Sequence, residues 1–339
     1  MGHSMKKIKL YSKFNSTRVK PVNFKNEHYN LFENEFNKSF PETYLLFAKN
    51  VSLNFLELSK YSRILSFSKH TKMKKFKFYK KLKYFFDKPD LFGNGQIIDK
   101  GTWILDEKSF HYFHWMCDAI PRLIQIISYT DEYPVLIPDK FFEYSFVVDS
   151  LKELDVNYKI YSATEYFTVK NLLISSHVAP SGNYKKEIMI KIRELIAKKS
   201  SQPNSNKIWI SREKSKHRKI VNENELRKIL AEYDYKIIYP EDFSFTEQSK
   251  IFSKAKVVAG LHGGGLTNII YLNEGSILFE IRREEDFQNN CYFTLASDLD
   301  LKYYYLNSQK LGDDLYVDNV TVNVKEFEKI LQQIEHEIN

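Results

Sequence analysis

At 339 residues, with 43% hydrophobic and 15% aromatic side chains, the chain is too apolar for a disordered protein and too long for most single cores, so two packed domains are expected. No stretch approaches the ~18 uninterrupted apolar residues of a membrane-spanning helix, and the only cysteines, Cys117 and Cys291, exclude a disulfide framework or a thiolate metal site and fit a reducing compartment. A formal net charge of +8 calls for an anionic partner without choosing among nucleotide, nucleic acid, anionic lipid and acidic glycan.

The opening Met1-Gly2-His3-Ser4 lacks an apolar core and reads as an expression scar rather than a secretion signal, so a cytoplasmic location is expected. Residues 1–95 read as an N-terminal extension of the first domain. Within them, 69–88 interleaves lysines with aromatics: on a helical wheel Phe76, Phe78, Tyr79, Leu82, Phe85 and Phe86 share one half, while Lys74, Lys77, Lys80 and Lys81 share the other. A basic amphipathic helix on an anionic inner-membrane surface is one reading, and a solvated surface helix is the other.

Strands are predicted at 96–105, 134–138 and 171–175, with helices at 110–127 and 184–199, giving a first α/β domain over 96–199. In the helix 110–127, His111, His114, Asp118 and Arg122 share one face, opposite Phe113, Met116, Cys117, Ile120, Leu123 and Ile124. Pro121 lacks a backbone N–H and predicts a kink. Two histidines and a carboxylate on one face fit a metal, a buried polar network, or a general base that takes a proton from an alcohol, with Asp118 preferred and His114 second.

The stretch 198–206, with Pro203 among polar turn residues, is the candidate boundary. Beyond it, strands at 208–210, 235–239, 256–259, 277–281 and 301–306 alternate with helices at 223–232, 245–254 and 265–272. That alternation predicts parallel βαβ units over 207–324, followed by a C-terminal helix at 325–339. Ser244 and Glu247 have the spacing of a capping box. The expected fold is thus α/β, with two Rossmann-like domains facing a central cleft.

Strand 256–259 runs into Gly260-Leu261-His262-Gly263-Gly264-Gly265, four of the chain's 11 glycines. At the carboxyl end of a parallel strand, such a turn lets the backbone approach a phosphate. The spacing is wrong for the dinucleotide fingerprint, and a serine hydrolase with a His-Gly-Gly-Gly oxyanion hole would need a G-x-S-x-G elbow that is missing. His262 reads either as a residue packing in the turn or as a donor to a phosphate oxygen, and Glu280, closing the next strand, either as an acceptor of ribose hydroxyls or as a solvated strand end. Arg212, after the strand Ile208-Trp209-Ile210, and Arg218, in the basic loop that follows, read either as a solvated charged loop or as diphosphate ligands, which planar, permanently charged donors suit.

Taken in order, His114-Trp115-x-x-Asp118-x-x-Pro121-Arg122-Leu123, Ser211-Arg212, Arg218-x-x-x-Asn222-Glu223, Pro240-Glu241-x-x-Ser244-Phe245-x-Glu247-Gln248 and His262-Gly263-Gly264-Gly265-Leu266-Thr267-Asn268, ending in Glu280, resemble glycosyltransferase family 61. That family comprises inverting enzymes of GT-B architecture, including plant xylan glycosyltransferases, extracellular O-linked N-acetylglucosaminyltransferases and bacterial surface-polysaccharide enzymes. The likeness spans roughly residues 100–285, and the family usually has alanine where Gly264 stands. It implies a nucleotide sugar, most often a UDP-sugar, held in the C-terminal domain by Arg212, Arg218, His262, Gly263, Gly264, Gly265, Asn268 and Glu280. An acceptor glycan or lipid-linked glycan of capsule or lipopolysaccharide synthesis is implied on the N-terminal side, where His111 and Arg122 lie. Asp118 or His114 would take the acceptor proton, and no metal or other cofactor is expected, although Asp298-x-Asp300 resembles a metal-binding D-x-D. The rival from another class is a non-catalytic binder of nucleic acid or an anionic surface, carried by the net charge and the lysine-aromatic stretch.

Overall fold

A computed structural model of the chain describes residues 6–54, 57–58, 96–163, 166–197, 205–287, 289–314 and 317–338. The basic-aromatic segment 69–88 and residues 198–204 of the expected boundary lie outside the described residues. The chain forms two compact units, one of residues 1–14 and 40–181, the other of 15–39 and 182–339. Both are α/β. The division falls after Ser181 rather than at 198–206, because the helix Lys186–Ala197 belongs with the second unit. That helix buries Ile188, Met189, Ile192 and Ile196, and Arg193 Nη1 donates to the Leu272 carbonyl at 2.9 Å.

The first unit begins with β1 (Lys6–Tyr11); β2 (Phe14–Thr17) and β3 (Asn37–Phe40), which pair with each other, stand at the two ends of the segment 15–39 that belongs to the second unit. It continues through β4 (Thr43–Asn54), β5 (Glu57–Leu58), β6 (Gln96–Trp103), β7 (Val135–Pro138), β8 (Tyr158–Tyr161) and β9 (Tyr166–Ser175). The sheet order is β1-β4-β9-β6-β7-β8, with β5 on β4. The four strands β9, β6, β7 and β8 are mutually parallel, while β4 runs antiparallel to both β1 and β9. Half of this sheet therefore departs from the all-parallel expectation. Its long β4 buries Leu45, Ala48, Val51 and Leu53 against the core.

The second unit contains β10 (Asn206–Ile210), β11 (Tyr235–Ile238), β12 (Ala255–Leu261), β13 (Ile277–Arg283), β14 (Lys302–Lys310) and β15 (Val320–Thr321). Their order is β11-β10-β12-β13-β14-β15, parallel throughout except for β15. All seven residues of β13 are buried, as expected for a parallel strand covered on both faces. From β10 the chain goes outward to β11, then returns past β10 to β12. The strand order thus reverses between β10 and β12, and beyond the carboxyl ends of these two strands lies the topological switch point where open α/β sheets bind ligands.

Residues 15–39, expected as part of an N-terminal extension of the first domain, pack along β14. The Val22 N–H donates to the Tyr303 carbonyl at 2.8 Å, and Asn23 Nδ2 to the Tyr305 carbonyl at 2.7 Å. Phe32, fully buried, meets Phe293, Tyr303 and Tyr305 edge-on, and Arg282 lies over its ring. Among the described residues no helix is long and apolar enough to cross a membrane.

Candidate functional site

At the switch point of the second unit, β10 delivers Ser211-Arg212 and β12 delivers the glycine cluster. A Cβ on Gly260 would lie 3.0 Å from the Ile210 carbonyl oxygen, and one on Gly265 would lie 3.0 Å from Ile210 Cγ2. On Gly263 it would run into the Arg212 guanidinium, while at Gly264 nothing lies within 4 Å. Three of the four glycines thus lie close against the β10 end and Arg212, and Gly264 alone is open. Gly263 is extended, with φ 166°, so a side chain there would meet the Arg212 guanidinium rather than a backbone restriction. The segment that follows, Gly264–Tyr271, is a 3₁₀ helix where an α-helix was expected. Asn268 is buried inside it, donating to Gln248 Oε1 at 2.9 Å and to the Gly265 carbonyl at 3.1 Å, so its amide braces the loop.

The Arg212 guanidinium donates to the Arg218 carbonyl (2.9 Å), Ser215 Oγ (3.0 Å) and the His217 carbonyl (3.1 Å), folding the basic loop back over itself. Burial, followed by the charge of Arg218, lowers its pKa to about 10, which leaves it a cation at neutral pH. Tyr292 and Glu241 act in the opposite direction to Arg218. Arg218 itself adopts φ 55°, the left-handed conformation that costs a non-glycine residue roughly 1 kcal/mol or more. Asn222 and Glu223, further along the same motif, are structural. Asn222 exchanges two hydrogen bonds with Val322, and Glu223 accepts from Trp209 Nε1 at 2.8 Å.

His262 Nδ1 is 2.5 Å from Glu280 Oε1, and Tyr303 Oη donates to Glu280 Oε2 at 2.6 Å. Glu280 is fully buried, so its carboxylate orients the imidazole from within instead of meeting ribose hydroxyls at the rim. With Nδ1 turned to this carboxylate, Nε2 is the second polar atom of the ring. Tyr292 packs edge-on against His262, with centroids 5.1 Å apart, and donates to the Gly263 carbonyl at 2.7 Å. Burial, then the Glu280 charge, pushes the Tyr303 phenol well above its ordinary range, so it remains a donor. Tyr292 and Tyr303 carry no local signal in the sequence, because β14 and the helix Cys291–Asp298 bring them in from beyond the motif.

In the first unit, helical residues 112–124 include a π turn at Trp115–Ala119, closed by the Ile120 N–H on the Trp115 carbonyl. Pro121 follows immediately, where the missing N–H fits the widened turn better than a regular helix. The expected polar face is therefore split. His111 is exposed and His114 half-buried, but Asp118 and Arg122 are interior. Asp118 Oδ2 accepts from His114 Nδ1 at 2.7 Å and from Ser181 Oγ at 3.0 Å. Arg122 donates to the strand-end carbonyls of Ser175 (2.8 Å) and Leu105 (3.2 Å), and burial lowers its pKa to about 10 against the opposing pull of Asp106 and Asp118. Burial, then the neighbouring His114 and Lys108, lower the His111 pKa. The D-x-D residues are already engaged: Asp298 lies 3.6 Å from Arg18, and Asp300 lies 2.6 Å from Lys186.

Residues 112–279 match the profile of the family described as Glycosyltransferase 61. The chain is 29% identical over 145 residues to the EGF domain-specific O-linked N-acetylglucosamine transferase of Drosophila melanogaster, covering 38% of this chain and 27% of that protein. The same enzyme of Rattus norvegicus is 28% identical over 151 residues, covering 38% and 28%, and that of Gallus gallus is 35% identical over 86 residues, covering 24% and 16%. The chain thus spans between 16% and 28% of the length of these relatives.

Proposed function

Because the chain belongs to glycosyltransferase family 61, a family of sugar-transferring enzymes, we propose that it is an inverting glycosyltransferase of GT-B type. It would move a sugar from a UDP-sugar held by the second unit to a hydroxyl of a glycan or lipid-linked glycan on the first. UDP-N-acetylglucosamine is the first donor to test, since the relatives are named for transfer of that sugar. Capsule or lipopolysaccharide synthesis, at the cytoplasmic face of the membrane, is the proposed setting.

The observation that carries this reading is the close approach at the switch point, where the Arg212 guanidinium lies against Gly263, the residue before the helix Gly264–Tyr271. N–H groups at a helix start and guanidinium groups both favour an anion, which is what a departing diphosphate is. His262, steadied by Glu280, adds a donor when doubly protonated.

On the acceptor side, the role of base passes from Asp118 to His114. Asp118 is buried and already accepts two hydrogen bonds, whereas His114 keeps 18% of its side chain exposed. The acceptor O–H gives its proton to His114 Nε2 as its oxygen bonds to the anomeric carbon. The bond from that carbon to the diphosphate oxygen breaks, configuration inverts, and UDP leaves with the electron pair. Asp118 holds Nδ1–H and stabilises the imidazolium, the role an orienting carboxylate plays beside a catalytic histidine. Arginines in place of a divalent cation neutralise the leaving group.

Thermal unfolding with UDP tests the donor half: stabilisation by UDP that is lost in Arg212→Ala supports it, and UDP without effect on the wild type overturns it. Release of UDP from UDP-sugars that survives EDTA supports the cation-free reading, and loss restored by Mn²⁺ overturns it.

A further inference from the structure

Strands β6 and β9 are parallel neighbours, Trp103 opposite Ile174, so the loops leaving their carboxyl ends share one rim of the first unit. The β6 loop and the helical residues after it carry Asp106, Ser109 and His114. The β9 loop carries His177 and Ser181. Two imidazole-carboxylate pairs result. His114 lies 2.7 Å from Asp118 with side-chain exposures of 18% and 1%, and His177 Nε2 lies 3.4 Å from Asp106 Oδ2 with exposures of 16% and 1%.

The likeness goes further than exposure. Each carboxylate is also held by a serine, Asp118 by Ser181 at 3.0 Å and Asp106 by Ser109 at 3.1 Å. The Lys108 N–H adds a 2.8 Å bond to Asp106. The buried Arg122 guanidinium ties the two loops: it donates to the Leu105 carbonyl, next to Asp106, and to the Ser175 carbonyl, two residues before His177, and both aspartates act on its charge. Burying two carboxylates and a guanidinium carries a desolvation cost that apolar packing would avoid, and such groups concentrate where charge and orientation are used.

Resting on the transferase reading above, we propose that His177, backed by Asp106, is a second acceptor contact, binding another hydroxyl of the molecule whose attacking hydroxyl gives its proton to His114. A seryl or threonyl side chain offers one hydroxyl and needs one imidazole. Two carboxylate-backed imidazoles on one rim fit a polyol, so the acceptor class this site selects is a glycoside rather than a protein hydroxyl.

The test uses the full chain labelled with ¹⁵N-histidine and saturated with UDP. It is titrated with methyl glycosides of hexoses, N-acetylhexosamines and pentoses, and separately with N-acetylthreonine methylamide. At least one glycoside is expected to shift the ring nitrogens of both His114 and His177 with one dissociation constant, while the threonine derivative leaves His177 unmoved. His177→Gln is expected to weaken binding of that glycoside about ten-fold, the loss of a hydrogen bond, with stabilisation by UDP unchanged. If His177→Gln does not unfold cooperatively, Ser109→Ala, which frees one side of Asp106, is expected to move the constant in the same direction. Shifts at His114 alone, no shift with any glycoside, or an unchanged constant in the variant would each overturn the proposal. Stabilisation by UDP in the same sample reports separately on the donor reading, so the two failures are distinguishable.

Discussion

A methyl group at position 263 would have to enter the space filled by the Arg212 guanidinium, whereas one at 264 would meet nothing within 4 Å. Gly263→Ala is therefore expected to displace Arg212 and weaken UDP binding by ten-fold or more, and Gly264→Ala to leave it within about two-fold, as measured by calorimetric titration. Equal effects at the two positions would detach Arg212 from the site. Asp118→Asn preserves size but offers Nδ1–H a weaker partner, so kcat should fall by roughly 10²–10⁴ with UDP affinity unchanged; retained turnover would remove the His114–Asp118 pair from the chemistry. The residue types at this scale were legible: His114 with Asp118, and His262 with Glu280, were singled out from their motifs. Which member of each pair is buried was not. The buried carboxylates take partners from far along the chain: Glu280 accepts from Tyr303, 23 positions away, and Asp118 from Ser181, 63 positions away.

Element boundaries follow local chemistry where that chemistry is strong. Ser244 N-caps Phe245–Phe252, with Glu247 reaching back to the Ser244 N–H at 2.8 Å, as the spacing predicts. The same helix carries Gln248, which takes Asn268 at 2.9 Å and thereby braces the glycine loop. Ser244→Ala should cost about 1 kcal/mol in stability with little change in UDP affinity. Gln248→Ala should weaken UDP binding measurably more than it lowers the urea midpoint, since it leaves Asn268 buried without that acceptor. The reverse pattern would make Gln248 a packing residue only. The helix 110–127 shows where local reading stops. Spacing at 100° puts Arg122 beside His114 and Asp118, but the π turn at Trp115–Ala119 changes the angular step, and the buried carbonyls of Leu105 and Ser175 supply partners that no helical wheel contains.

For the molecule as a whole, length anticipated two bodies and the alternation of strands and helices their α/β class, but neither anticipated their membership. A polar, proline-containing stretch marked 198–206, while the division lies after Ser181 and the second unit includes residues 15–39. That early segment is fastened by Arg18, which meets Glu35 at 3.2 Å, Asn183 Oδ1 at 3.2 Å and Asp298 at 3.6 Å. Sequence separations of 165 and more hide such a junction from any local pattern. Asp298 makes it sensitive to pH: burial raises its pKa to about 6, with Arg18 offsetting only part of the effect. An unfolded aspartate titrates near ~3.9, so between about pH 4 and 6 the folded chain keeps a proton that the unfolded chain has released. Stability from this group therefore falls as pH rises through that window and stays at the lower level above it, by an amount on the order of 1–3 kcal/mol. Asp298→Asn imitates the protonated acid at every pH. The difference between wild type and variant in urea unfolding should hence change between pH 4 and pH 7 in the variant's favour, which also cancels the opposite slope of surface carboxylates such as Glu213 and Glu247, whose pKa values are lowered. A difference that stays constant across that range would mean that Asp298 is already ionised against Arg18 throughout, and that the junction between residues 15–39 and the rest of the second unit is an ordinary ion pair.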